Sequence, residues 1–215
     1  DKASYSYVVI WNAFKRITQS HSAAERQALF HDTAARVYRI AKTGERKWKY
    51  DPGVDKARGV SACCDVVNRG VAIWEGKVYV GTIDGRLISL DASTGKQLWS
   101  AQTLDLESNG TITGVPRVVK DKVVIGFGAA EFGARGYVTA YDAATGKQAW
   151  RFYTTPNPKG EPDGAASDEI LKTAATKTWS AKSKKGDWRE SGGGGTVWDA
   201  IVYDPDFKQL IVGVG

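Results

Sequence analysis

A tryptophan stands at positions 48, 99 and 150, and each time a glycine precedes it by four residues, at 44, 95 and 146. Both series advance by one step, 99 − 48 = 51 and 150 − 99 = 51. The segments around them align without gaps: Ala41-Lys42-Thr43-Gly44-Glu45-Arg46-Lys47-Trp48, Ser93-Thr94-Gly95-Lys96-Gln97-Leu98-Trp99 and Ala144-Thr145-Gly146-Lys147-Gln148-Ala149-Trp150. A constant step of this length means one supersecondary unit used repeatedly. A Thr-Gly pair between short strands reads as a hairpin turn, with glycine supplying the positive φ. Residues 86–91 and 136–142 alternate as strands do and run into Asp-Ala-x-Thr-Gly; the first turn has Ile40 where the others have Asp. Residues 70–74 and 77–82 supply earlier strands in one period, and 111–119 and 123–126 in the next. Four short strands per period of about 50 residues make a blade of a β-propeller. An unrelated all-β sandwich has no reason to keep a constant step.

Dividing 215 residues by 51 leaves room for about four blade-lengths, whereas most propellers have 4 to 8 blades. Residues 196–203 and 208–214 supply two strands of a last, unfinished blade. Residues 1–35 form an irregular leading segment: 5–13 could be a strand, and 20–29 reads as a helix with Ser22 as its cap. The partial propeller is therefore expected over 36–215, as an internal piece of a larger ring. The start, Asp1-Lys2-Ala3-Ser4, has no signal-peptide pattern. An apolar share of 42% excludes a disordered chain, and no apolar run is long enough for a transmembrane helix. Two Cys and two His, with no Cys-x-x-Cys, exclude most zinc sites and a covalently attached haem within these residues. The net charge of +6 raises nucleic acid as a partner. The lysines fall in turns and tails rather than in one stripe, so no nucleic acid is expected.

Two stretches stand outside the repeat. From 153 to 195 the pattern breaks into an excursion rich in Pro and Gly, with a short helix expected over 166–175 and a basic, exposed stretch at 182–186; long loops in compact folds tend to carry function. It ends in Gly192-Gly193-Gly194-Gly195, which either lets backbone approach something closely or gives a flexible lead into Thr196. The other is Cys63-Cys64. Neighbouring Cα atoms lie about 3.8 Å apart, short of the roughly 4.4–6.8 Å of ordinary disulfides. The pair is thus either two free thiols or a strained eight-membered ring.

Cys63-Cys64-Asp65-Val66-Val67-Asn68-Arg69-Gly70, followed by Trp74-Glu75-Gly76-Lys77-Val78-Tyr79-Val80-Gly81, resembles the quinoprotein alcohol dehydrogenases. The resemblance runs from about Val37 to Gly215. It includes the Asp-Ala-x-Thr-Gly-x-x-x-Trp repeat, which in that family is a tryptophan docking motif, and Gly192 to Trp198. It implies an all-β, eight-bladed β-propeller that binds pyrroloquinoline quinone and Ca²⁺. It also implies oxidation of a small alcohol, with electrons leaving singly to a cytochrome c, and a periplasmic location. Details of the motifs look closer to the quinohaemoprotein branch, whose haem c lies in a further domain. The rival is a non-enzymatic scaffold propeller with related repeats, which should lack the cysteine pair, Arg69, Glu131 and Trp198 as a set.

The resemblance also implies a site. Cys63 and Cys64 form the strained disulfide, laid flat on the quinone. Trp198 stacks on the opposite face, a favourable use of an indole. Arg69 meets a cofactor carboxylate, and Thr113 and Thr196 offer hydroxyls to it. Glu131 is the Ca²⁺ ligand, a hard oxygen donor for a hard cation. Ala129 and Ala130 lead into it with their backbone against the cofactor, Ala129 standing where family members commonly carry glycine. Arg135 is expected to brace its strand rather than touch substrate. The family's next metal ligand is an Asn directly after Gly-x-Gly, and this chain closes on Gly213-Val214-Gly215. Its catalytic Asp, the general base, falls further on, and neither Asp199 nor Asp204 aligns with it.

Overall fold

The computed structural model describes residues 15–28, 46–62, 66–105, 107–179 and 187–215. The chain divides into two compact units, Asp1–Lys47 and Trp48–Gly215. In the first, helix α1 (Ala23–Gln27) begins at Ser22, whose hydroxyl accepts from the Glu25 N–H while the Glu25 carboxylate accepts from the Ser22 N–H. This is the reciprocal capping box, which satisfies two otherwise orphaned donors. The strand expected over 5–13, Ile40, the first Thr-Gly turn, the Cys63-Cys64 pair and the basic stretch 182–186 lie outside the described residues.

The second unit is built from two four-stranded antiparallel meanders and a hairpin. Strands β1 (Ala72–Trp74), β2 (Lys77–Gly81), β3 (Arg86–Asp91) and β4 (Gln97–Gln102) pair in sequence order. So do β5 (Arg117–Val119), β6 (Lys122–Ile125), β7 (Tyr137–Asp142) and β8 (Gln148–Tyr153). β9 (Ile201–Asp204) and β10 (Gln209–Val212) form the hairpin. The first strands β1, β5 and β9 lie side by side. Helix α2 (Asp168–Thr178) interrupts the excursion, beginning two residues later and ending three later than its sequence pattern predicts.

The third-to-fourth strand turns are copies of one another. Asp91 accepts through Oδ1 from the N–H groups of Ser93 and Thr94 and from the Thr94 hydroxyl. Asp142 does the same with Ala144 and Thr145. The Thr hydroxyls, with the turn N–H groups, hold both carboxyls below the usual carboxylate range against a small opposing cost of burial. Gly95 and Gly146 close these turns at φ +73° and +72°, a region where a side chain is strained. Each glycine also receives an indole from the preceding period. A Cβ on Gly95 would lie 2.5 Å from Trp48 Cδ2, and one on Gly146 would lie 2.6 Å from Trp99 Cδ2. Trp48 Nε1 donates to Ala92 O (2.9 Å) and Trp99 Nε1 to Ala143 O (3.2 Å). The 51-residue step is thus a contact as well as a pattern.

The largest core cluster lies between the two meanders and includes Tyr79, Leu87, Leu104, Ile112, Val123, Ile125, Phe127 and Tyr141. A smaller one, Val124, Val138, Ala140, Val197 and Ile201, joins the second meander to the hairpin. One expectation fails in extent. Residues 111–119 are not one strand; only Arg117–Val119 pairs in the sheet, and Thr111 makes an isolated bridge with Gly128. Pro116 has no N–H for the ladder, and the chain ahead of it turns aside, with Thr113 O accepting from the Arg69 N–H at 3.0 Å. Likewise residues 196–200 do not extend β9. Thr196 instead exchanges backbone hydrogen bonds with Gly215, 3.0 and 3.1 Å long.

Candidate functional site

The loops that enter β1, β5 and β9 come together where those strands adjoin, and the connection from β6 to β7 joins them. They enclose a cavity of about 160 Å³ whose wall includes Arg69, Thr113, Ala130, Glu131, Thr196 and Trp198. Ser61, Val67, Thr111, Gly128 and Gly215 complete it. Six of the nine site positions expected from sequence therefore share one wall, although the first and last are 198 − 69 = 129 residues apart. Cys63 and Cys64 lie outside the described residues. Ala129 takes a different place: its side chain is in the core, 2% exposed. Its φ of 172° is extended backbone that any residue adopts, so alanine in place of glycine causes no strain there.

Arg69 is the hinge between two of the loops. Its Nη1 donates to Thr113 Oγ1 at 2.6 Å, and its guanidinium carbon lies 5.1 Å from the Trp198 ring centroid. Asn68, next to it, anchors the loop by donating from Nδ2 to Gly81 O and accepting from the Gly70 N–H. Trp198 is 42% exposed, an open indole face where such a side chain would ordinarily be buried. The segment carrying it presses so closely on the second meander that a Cβ at Gly126 would lie 2.0 Å from Val197 O. Glu131 is exposed on a single 3-10 turn (Ala130–Phe132), closed by Gly133 in the left-handed region and by the Ala134 N–H donating to Ala129 O.

Behind this turn lies the glycine run. Gly192, Gly193, Gly194 and Gly195 all have positive φ, from +68° to +83°. Gly194 bridges Arg135 in parallel fashion: the Gly136 N–H donates to Gly194 O (2.8 Å) and the Gly194 N–H to Ala134 O (3.1 Å). Of the two readings open from sequence, close approach holds, and what is approached is the protein's own backbone. Arg135 braces the same place. It grips Asp163 with both Nη atoms at 2.7 Å, donates to Thr155 O from Nε and Nη2, and stacks 3.9 Å from the Tyr153 ring centroid. Asp163 escaped the sequence reading because 28 residues separate it from Arg135 and no pattern marks such a pairing.

Chemically the wall offers a bidentate cation donor, four hydroxyls (Ser61, Thr111, Thr113 and Thr196), one carboxylate and an open aromatic face. Glu131 is the only acid on it among the described residues, and no group of three or more His, Cys, Asp or Glu forms a metal cluster among them. The set suits a planar, polycarboxylated ring that brings oxygen donors of its own to a hard cation.

Comparison with known proteins points the same way. The dehydrogenase subunit of the quinone alcohol dehydrogenase of Gluconobacter oxydans is 54% identical over 181 residues, 81% of this chain and 24% of that protein. A protein of Thauera butanivorans named 1-butanol dehydrogenase (cytochrome c) is 54% identical over 139 residues, covering 64% of this chain and 19% of its own. The crystal structure of the quinohaemoprotein alcohol dehydrogenase of Comamonas testosteroni superposes with a TM-score of 0.72 at 50% identity, over 81% of this chain and 25% of that one. The chain thus spans about a quarter of the length of the first relative and of that structure. The family model for the β-propeller domain of glucose/ethanol/alcohol dehydrogenases matches residues 24–187, and with this match the chain belongs to the PQQ β-propeller dehydrogenase family.

Proposed function

We propose that this chain is part of a periplasmic alcohol dehydrogenase that oxidises small alcohols to aldehydes or ketones with pyrroloquinoline quinone and Ca²⁺. Its electrons pass to a cytochrome c, with haem c in a further domain or a partner. The whole ring has eight blades locked by tryptophan docking, of which the Trp48–Gly95 and Trp99–Gly146 contacts are two. The observation that carries the reading is the convergence of Arg69, Thr113, Glu131, Thr196 and Trp198 on one cavity wall. The relatives' names support alcohol as substrate and a cytochrome c as acceptor.

The bound quinone supplies a two-electron acceptor, polarised by the cation. The chain's residues bind and orient it. Trp198 offers its open face to the ring, and Arg69, held by Thr113, pairs with a carboxylate in the fork geometry that guanidinium favours. Thr113 and Thr196 contribute hydroxyls. Ala130 brings backbone to the wall. Glu131 gives one hard oxygen ligand. Cys63 and Cys64, as a strained disulfide suited to the oxidising periplasm, cover the other face of the ring. The general base that takes the alcohol proton is assigned to an Asp outside these 215 residues.

The test uses dye reduction. The 215-residue chain, given pyrroloquinoline quinone, Ca²⁺ and an artificial acceptor, should give no alcohol-dependent turnover. A chain of the relatives' full length should turn over, and Glu131→Gln in it should lower kcat/KM by about 10²-fold or more. Full activity of the Gln variant would remove Glu131 from the metal site.

A further inference from the structure

The excursion between β8 and the Trp198 loop has no task in the reading above, yet it is fastened at one point with unusual completeness. The Arg135 guanidinium donates four hydrogen bonds, two to Asp163 and two to Thr155 O. Its underside is covered by the Tyr153 ring. The two side chains are only 16% and 12% exposed. Asn157 completes the cluster by donating to Asp163 Oδ1 at 2.8 Å. Thr154, at the head of the excursion, donates to Gly195 O at its tail. Both ends of the excursion are therefore tied to the strand that leaves the Glu131 turn.

From these contacts we propose that Arg135 and Asp163 are positioning residues for Glu131, setting the distance between the Glu131 turn and the segment that carries Trp198. The inference rests on the reading of Glu131 as a metal ligand. The path is short. Arg135 follows Glu131 by four residues, and its backbone neighbours carry the parallel bridge to Gly194. Gly194 in turn precedes Thr196 and Trp198 by two and four residues. A Cβ on Gly194 would lie 3.7 Å from the Ala130 Cβ, and one on Gly192 only 1.8 Å from Gly133 O. The glycine run is thus wedged against the floor of the Glu131 turn. That turn is one turn long and has no side-chain cap; its own backbone hydrogen bonds close it and fix its shape, and the glycine run fixes where it sits. Asp163 fixes Arg135, Arg135 fixes the segment that enters β7, and the glycine run bridged to that segment transmits the spacing to Trp198. Lysine in place of Arg135 keeps the charge and loses the planar fork.

Hydrogen exchange of the full-length protein, without metal or cofactor, reads the brace directly. In Asp163→Asn, peptides over 129–136 and 192–198 should exchange about 10-fold faster, while β6 and β7 stay protected. Asp163→Glu should recover part of the protection, and Arg135→Lys should resemble Asp163→Asn should that variant fail to fold. Acceleration confined to 156–170, or Asp163→Glu behaving as Asp163→Asn, overturns the proposal. Equilibrium dialysis of Ca²⁺ in the presence of pyrroloquinoline quinone reads the consequence, a dissociation constant raised about 10-fold in Asp163→Asn. An unchanged constant beside a loosened turn overturns the positioning role. Wild-type protein that takes up no Ca²⁺ overturns the reading of Glu131 as a metal ligand, and the exchange response, measured without metal, then decides separately whether Arg135 and Asp163 hold the turn.

Discussion

At the two seams Gly95 and Gly146 omit a side chain so that an indole can lie on bare backbone; behind the cavity Gly192 omits one so that backbone can lie on backbone. The partners differ in kind. Trp48 and Trp99 are side chains, able to tilt within their rotamer wells and still donate their Nε1 hydrogen bonds. The carbonyl of Gly133 belongs to the turn that carries Glu131 and cannot move without moving that turn. The seam is a tolerant joint found twice among the described residues, and the cavity floor is a rigid joint. Regular architecture and chemical site thus occupy the same second meander under different mechanical rules.

The rigid joint should suffer the largest loss. Gly192→Ala places a Cβ 1.8 Å from a backbone oxygen at φ +79°, and no rotamer relieves the clash. A loss of about 4 kcal/mol is expected from the clash and the left-handed strain together. Urea unfolding of the full-length protein checks it. Trp99→Ala removes a half-buried indole, its hydrogen bond to Ala143 and its tilted contact with Tyr79. Its cost should be about 3 kcal/mol, the low end for such truncations because the ring is partly exposed. Gly160→Ala sharpens both. It has φ +74° with nothing within 4 Å, so it isolates the backbone term, and about 1 kcal/mol should be lost. Equal losses at 160 and 192 would mean that the glycine run is not wedged at all.

These differences decide what could be read from sequence. The seams were legible because a period repeats them: Gly95, Trp99, Gly146 and Trp150 declare one another, and strand β3 has the bounds its alternation predicts. The strand over 111–119 was overread because Thr and Ile alternate well; Pro116 marks its limit locally, while the diversion of Thr113 depends on Arg69, 44 residues earlier. The cavity was legible only through resemblance. Arg69, Glu131 and Trp198 stand on three loops without common spacing, and an isolated Glu or Trp has no pattern that distinguishes a ligand from a surface or core residue. Four glycines in a row look alike whether wedged or loose. What tells the two apart is Gly133 O, 192 − 133 = 59 residues away.

The smallest effect concerns acid. Asp163 is held below the usual carboxylate range, chiefly by its hydrogen bonds from Arg135; burial opposes this, and the Arg135 charge and Asn157 add to it. A carboxyl depressed in the folded state binds fewer protons there than in the unfolded chain. Its contribution is therefore complete above the unfolded value, near pH 4, and is lost as pH falls through the lower folded value. Melting wild type and Asp163→Asn in parallel should show a gap at pH 7 that stays constant to about pH 5 and narrows below pH 4. The seam aspartates give the contrast. Asp91 and Asp142 are depressed too, but chiefly by donors on exposed turns, and Asn in their place keeps the accepting oxygen. Asp91→Asn should thus show a smaller gap at pH 7 than Asp163→Asn, which loses the charge paired with Arg135. If the two variants converge with wild type over the same pH range and to the same degree, the Arg135–Asp163 pair is no stiffer than a surface turn, and the distinction between tolerant and rigid joints fails where it was drawn most finely.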